Sequence, residues 1–123
     1  LLGEEGSQAL SRETADAELL SSVLLVLEAK RNLIRLARDG VLKSEQYRAC
    51  VDRLEVDVNL FLLRDLTLDL CRLRAIPAVV TPRSLDLAHI QTALWFHSRE
   101  QIDRFVTLDS AQEHAARELG LPA

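Results

Sequence analysis

Phe105-Val106-Thr107-Leu108-Asp109-Ser110-Ala111-Gln112-Glu113 is the stretch on which the fold of this chain turns. Phe105 to Leu108 is rich in residues that favour strands. It runs into an acid, and Ser110 and Glu113 then stand at the S-x-x-E spacing of a capping box that opens a helix. The spacing predicts a strand over 104–108 feeding a helix that stops at Gly120, the residue type a helix C-terminus favours. A strand that passes directly into a helix is half of an α/β repeat.

The rest of the chain repeats that unit. Upstream, a helix over 84–97 is expected, capped by Ser84, with Leu87, Ile90 and Leu94 facing inward. Pro82 biases Thr81 away from helical geometry, so 78–83 reads as a loop, and a helix restarting at Thr67 with Leu68, Cys71 and Ala75 on one face ends before Pro77. Leu60-Phe61-Leu62-Leu63, within 59–66, is short and continuously apolar, the pattern of a buried parallel strand. Ser44 is expected to cap a helix whose inner face is Tyr47, Val51, Leu54 and Val58. Before it, 23–38 is the strongest helical stretch, with Val23, Leu27, Ile34 and Ala37 as its apolar positions and Gly40 closing it. A strand over 18–22, whose serines can cap that helix, and a surface helix over 4–17 complete the order. Strands separated by helices define an α/β domain with a mostly parallel sheet.

Length and composition agree with one such domain over 1–123. The chain has 123 residues, of which 48% are apolar and 28% charged, so it leaves room for a single core and is too apolar for disorder. No apolar run nears the roughly 20 residues a bilayer demands. No signal peptide is visible, and the expected compartment is the cytoplasm. The net charge of −4 argues against binding nucleic acid by overall charge, leaving room for a local basic stripe. Cys50 and Cys71 lack any metal-ligand spacing and read as buried thiols.

Three carboxylates occupy positions where chemistry is a reasonable expectation. Glu28 follows the apolar run Val23 to Leu27, Asp86 sits in the first turn of its helix, and Asp109 stands at the C-terminal end of the expected strand, where ligands of open α/β sheets bind. Each has a plainer role open to it. Glu28 can pair with Arg31, Asp86 can complement a helix dipole, and Asp109 can begin a turn. Taken together, clustered carboxylates repel unless a hard cation neutralises them, and an all-oxygen ligand set suits Mg²⁺ or Mn²⁺.

Three segments carrying these acids resemble one family. Arg83-Ser84-Leu85-Asp86-Leu87-Ala88-His89-Ile90-Gln91-Thr92-Ala93-Leu94 is similar to the third acidic motif of PIN-domain ribonucleases of the VapC type. Phe105 to Gln112, with Ala115-Ala116-Arg117-Glu118-Leu119-Gly120-Leu121, resembles the strand and helix that close such domains. Leu25-Val26-Leu27-Glu28-Ala29-Lys30-Arg31 is similar to the second acidic motif, and the resemblance covers essentially the whole chain.

The resemblance implies a PIN-like three-layer α/β/α fold around a short central sheet. It makes Glu28, Asp86 and Asp109 three of four acids that hold Mg²⁺ or Mn²⁺ and hydrolyse an RNA phosphodiester. The fourth, an Asp closing a first strand, is expected upstream of Leu1. The implied protein is a cytoplasmic homodimeric toxin bound by a cognate antitoxin. Arg31, with Lys30, Arg35 and Arg38 on the same helix, and Arg83 are the candidate RNA contacts; a solvated face making exposed ion pairs is the plainer reading of that helix. A PIN-like module that keeps its dimer and antitoxin contacts without catalysis is the alternative.

Overall fold

Ser22 closes the first strand and opens the first helix, its Oγ accepting the Leu24 N–H at 3.2 Å. From that junction the computed structural model, which describes residues 17–73 and 83–123, is a mixed α/β chain. Its elements are β1 (Leu19–Ser22), α1 (Leu24–Arg38), α2 (Ser44–Val58), β2 (Phe61–Arg64), α3 (Leu68–Cys71), α4 (Ser84–Arg99) and α5 (Ser110–Glu118). The strands β1 and β2 form one two-stranded parallel sheet, with α1 and α2 as the crossover that parallel pairing requires. The helix expected over 4–17 and the loop over 78–83, Arg83 excepted, lie outside the described residues.

The chain divides into two compact units, one containing Leu25–Leu63 and the other joining Leu20–Leu24 to the described residues from Arg64 onward. In the first, α1 ends in a turn that glycine makes possible. Gly40 takes φ +76°, and the Val41 N–H reaches back to the Leu36 carbonyl at 2.9 Å, closing the helix. The buried residue of α1 is Leu33, whereas Leu27 and Ile34, expected to face inward, are exposed. The inner stripe of α1 runs through Leu33, Leu36 and Ala37, one step round the helix from the expected one. In α2 the half-buried face does contain Tyr47, Val51, Leu54 and Val58. Ser44 is its first helical residue rather than its cap; the cap position is Lys43, whose N–H is taken by the Gln46 side chain at 2.9 Å.

The second unit holds the larger core. Ile90 and Leu94 of α4 pack with Ala115, Ala116, Leu119 and Leu121. Two adjacent alanines on α5 let the helix backbones approach, and Phe105, Ile102 and Ala93 close the edge. Gly120, at φ +88°, ends α5, with the Leu121 N–H on the Ala116 carbonyl at 2.9 Å. The helix expected to restart at Thr67 begins one residue later, with Thr67 as its cap, the Oγ1 accepting the Leu70 N–H at 3.2 Å. The buried residue of α3 is Leu70, while Leu68 and Cys71 are exposed; Cys50 is half-buried, so neither thiol is a core residue.

The strand expected over 104–108 does not form. The Phe105 N–H goes to the Pro122 carbonyl at 2.8 Å, and Val106 and Leu108 are exposed. A strand needs a neighbouring strand to take its backbone groups, and among the described residues none lies beside this segment. For the same reason β2 is not buried on both faces: Leu62 is exposed between half-buried Phe61 and Leu63.

Candidate functional site at the start of helices α4 and α5

Asp109 is the N-cap of α5. Its backbone is extended, and its Oδ1 accepts the Gln112 N–H at 2.9 Å. The cap thus falls one residue before Ser110, and Glu113 turns instead to Arg117, with a 2.8 Å contact. Asp86 lies in the first turn of α4, half-buried. Asp86 thus stands where it complements the α4 dipole, as its plainer role had it, whereas Asp109 caps a helix rather than only beginning a turn.

Gln112 ties the Asp109 cap to the main chain of Asp86. While its backbone N–H binds the Asp109 carboxylate, its side-chain Nε2 donates to the Asp86 carbonyl at 3.1 Å, and its Oε1 accepts from the Thr107 hydroxyl. The Thr107 Oγ1 in turn accepts the Asp109 N–H at 3.1 Å. Gln112 is buried, so this chain of hydrogen bonds is shielded from water competition and holds its geometry. The cap bond uses Oδ1 of the carboxylate, and Asp109 itself is exposed. One residue thus bonds the Asp109 carboxylate through its backbone N–H and the Asp86 main chain through its side chain, the latter contact spanning 26 positions in sequence.

The other expected site residues sit as follows. Glu28 is half-buried on α1, in the first unit. Arg31 is exposed on the same helix together with Lys30, Arg35 and Arg38, and Leu27 and Ile34 are exposed between them. Arg83 is exposed at the cap position of α4 and makes no side-chain cap bond. His97 is an acceptor, its Nδ1 taking the Ile102 N–H at 3.1 Å and closing the turn after α4. Also in the first unit, a cleft of about 400 Å³ lined by Ala37, Leu42, Ser44, Tyr47, Arg48 and Val51 includes none of the expected acids.

Among the described residues no three His, Cys, Asp or Glu side chains gather into a metal-holding group. The pair linked through Gln112 is what the second unit offers by itself. Gln112 escaped the sequence reading, although its position three residues after Asp109 is the signal that marks it, because the cap was assigned to Ser110. A second arrangement was also missed: the Trp95 ring carries the guanidinium groups of Arg64, at 4.5 Å, and Arg99, at 4.4 Å. The i, i+4 spacing of Trp95 and Arg99 is legible, but the approach of Arg64 from β2 is not.

Comparison of the chain with protein-family models, with curated proteins and with solved structures returns no match.

Proposed function

We propose that this chain is a metal-dependent endoribonuclease of the PIN type, the toxin of a toxin–antitoxin pair. The observation that supports the reading is the Gln112 link, which ties the Asp109 cap to the main chain of Asp86 and so joins the first turns of the two helices that carry the C-terminal motifs. On this reading the observed parallel pair of strands is part of a three-layer α/β/α domain.

The donor set fits a hard divalent cation, because every candidate ligand is a carboxylate and Asp109 keeps one oxygen outside its cap bond. Glu28, Asp86 and Asp109 would hold Mg²⁺ or Mn²⁺, which supplies charge neutralisation at the phosphodiester and a water of lowered pKa. The chain's own residues do the rest. Glu28 or Asp86 accepts the proton of the attacking water as its oxygen bonds to phosphorus and the P–O bond to the leaving nucleoside breaks. The Gln112 N–H holds the Asp109 carboxylate, and Thr107 holds the Asp109 backbone N–H, so that the acid does not reorganise during the step. Arg31 and Arg83, both exposed, contact the RNA backbone.

The test is cleavage of a labelled RNA by the protein. Activity is expected with Mg²⁺ or Mn²⁺, lost on chelation, restored on readdition, and absent in Asp86→Asn and Asp109→Asn. Undiminished cleavage by both variants sinks the assignment.

One observation favours the second reading, a non-catalytic module that binds a homodimer partner and an antitoxin. The solvent face of α1 interleaves Leu27 and Ile34 with Lys30, Arg31, Arg35 and Arg38, the mixture of apolar and cationic groups suited to a protein surface of opposite charge. Co-purification with the product of the neighbouring small reading frame, unchanged in Asp86→Asn, together with absent cleavage by the wild type, is its signature. Failure to associate counts against it.

A further inference from the structure

Trp95 and Arg99 stand four residues apart on α4, so they share one face of the helix. Arg64, the last residue of β2, meets them there. Its guanidinium lies 4.5 Å from the centre of the Trp95 ring and that of Arg99 lies 4.4 Å from it, while Phe96 packs edge-on against the indole at 5.1 Å. Two cations are therefore held beside one ring, which lowers the flexibility each arginine must give up on binding.

Neither guanidinium is in an ion pair with a carboxylate among the described residues, although Asp65 and Glu100 follow them directly in sequence. Arg64 gives one N–H to the Asp65 carbonyl at 2.9 Å, and its Nε is buried without an acceptor. Arg99 is exposed. A fold that needed these side chains only for packing has no use for two charges with donors to spare. Planar guanidinium forks with free N–H edges match phosphate oxygens, and the Trp95 ring that both cations cover holds them in place for such a contact.

We infer that Arg64 and Arg99, held against Trp95, form a platform that binds single-stranded RNA through a backbone phosphate. The inference rests on the RNA-directed reading above but concerns a separate place. Trp95 lies roughly 13 Å along α4 from Asp86 and about half a turn round it, on the opposite side of the helix. The platform therefore binds RNA without taking part in the cleavage step.

Trp95 is the chain's one tryptophan, so its fluorescence reports on this site alone. The experiment titrates the protein, with chelator present to prevent cleavage, with a single-stranded RNA 12-mer and with a polyglutamate peptide of equal charge. It follows tryptophan emission together with the anisotropy of a label on the RNA. The expected result is a saturable emission change with the RNA and not with the peptide. Arg99→Gln and Arg64→Gln are each expected to weaken binding about tenfold and to lower the salt slope by about one. With Mg²⁺ restored, Arg99→Gln raises KM and leaves kcat within about twofold, and its unchanged circular dichroism shows that the fold is kept.

Three results overturn the platform. Binding with silent tryptophan emission places the RNA elsewhere. Equal response to polyglutamate makes the surface a protein-binding one. Unchanged affinity and salt slope in both arginine variants removes the two cations from the contact. Each of these leaves the nuclease reading standing if the wild type still cleaves, whereas absence of both binding and cleavage removes the two together.

Discussion

The side chain of Gln112 donates to the backbone carbonyl of Asp86 at 3.1 Å, tying the first turn of α4 to the first turn of α5. Gln112 is buried, and its oxygen also receives the Thr107 hydroxyl. Replacing it by Ala deletes both bonds and leaves the Thr107 hydroxyl without its acceptor, at a cost of about 1–3 kcal/mol. Urea denaturation of Gln112→Ala is expected to show that loss as a lower midpoint with an unchanged slope. A midpoint equal to wild type would mean that the link carries no stability.

Asp109 has two separable roles, and substitutions distinguish them. Asn caps a helix as well as Asp does, so Asp109→Asn is expected to keep stability within about 0.5 kcal/mol, whereas Asp109→Ala loses roughly 1 kcal/mol with the Gln112 N–H left unbound. In the nuclease reading both variants lose RNA cleavage, because neither retains the carboxylate charge. Thermal melts and cleavage assays on the same two proteins decide it: activity that follows stability, kept in Asn and reduced in Ala, assigns Asp109 to the cap alone.

Ile90 is completely buried between α4 and α5. Ile90→Val removes one methylene and is expected to cost about 0.5–1.5 kcal/mol, while Ile90→Ala costs about 2–5 kcal/mol because Ala115 and Ala116 are too small to fill the space. Chemical denaturation measures both. A cost for Ile90→Ala below that of the Val variant would show that this helix pair is not the core of its unit.

Gly120 stands at φ +88° with open space where a Cβ would go. Gly120→Ala therefore meets no clash, and its cost is the backbone conformation itself, about 1 kcal/mol. Asn, which tolerates this region better, is expected to cost less than Ala. Melting temperatures ordered Gly, Asn, Ala are the expected outcome, and an equal Ala value would show that the turn relaxes out of the left-handed region.

Much of this architecture was legible from local chemistry. β1, the start of α1 after Ser22, the Thr67 cap, the inner face of α2, the inward positions Ile90 and Leu94, and the glycine stops at Gly40 and Gly120 all depend on groups within a few residues of one another. The capping bonds of α2 and α5 fall one residue earlier than read. Ser44 and Ser110 suit a cap, but Lys43 and Asp109 are the residues whose backbone is extended at the boundary.

The candidate site divides in the same way. Asp86 and Asp109 were visible as acids at helix starts, and Gln112 was visible as the third residue past a cap. That Gln112 reaches Asp86 follows only from the packing of α4 on α5, which small residues at 115 and 116 allow. The convergence of Arg64 and Arg99 on Trp95 is equally tertiary, since β2 and α4 are far apart in sequence.

What the sequence determined by itself was where helices begin, to within a residue, and which acids stand at those starts, because caps, glycine turns and apolar periods are short-range. Tertiary structure alone decided which apolar residues of α1 are covered, as Leu33 is and Leu27 and Ile34 are not. It also decided that 104–108 stays outside the sheet. Burial and strand pairing both require a partner element to be present, and a residue's own preference, however strong, does not supply one.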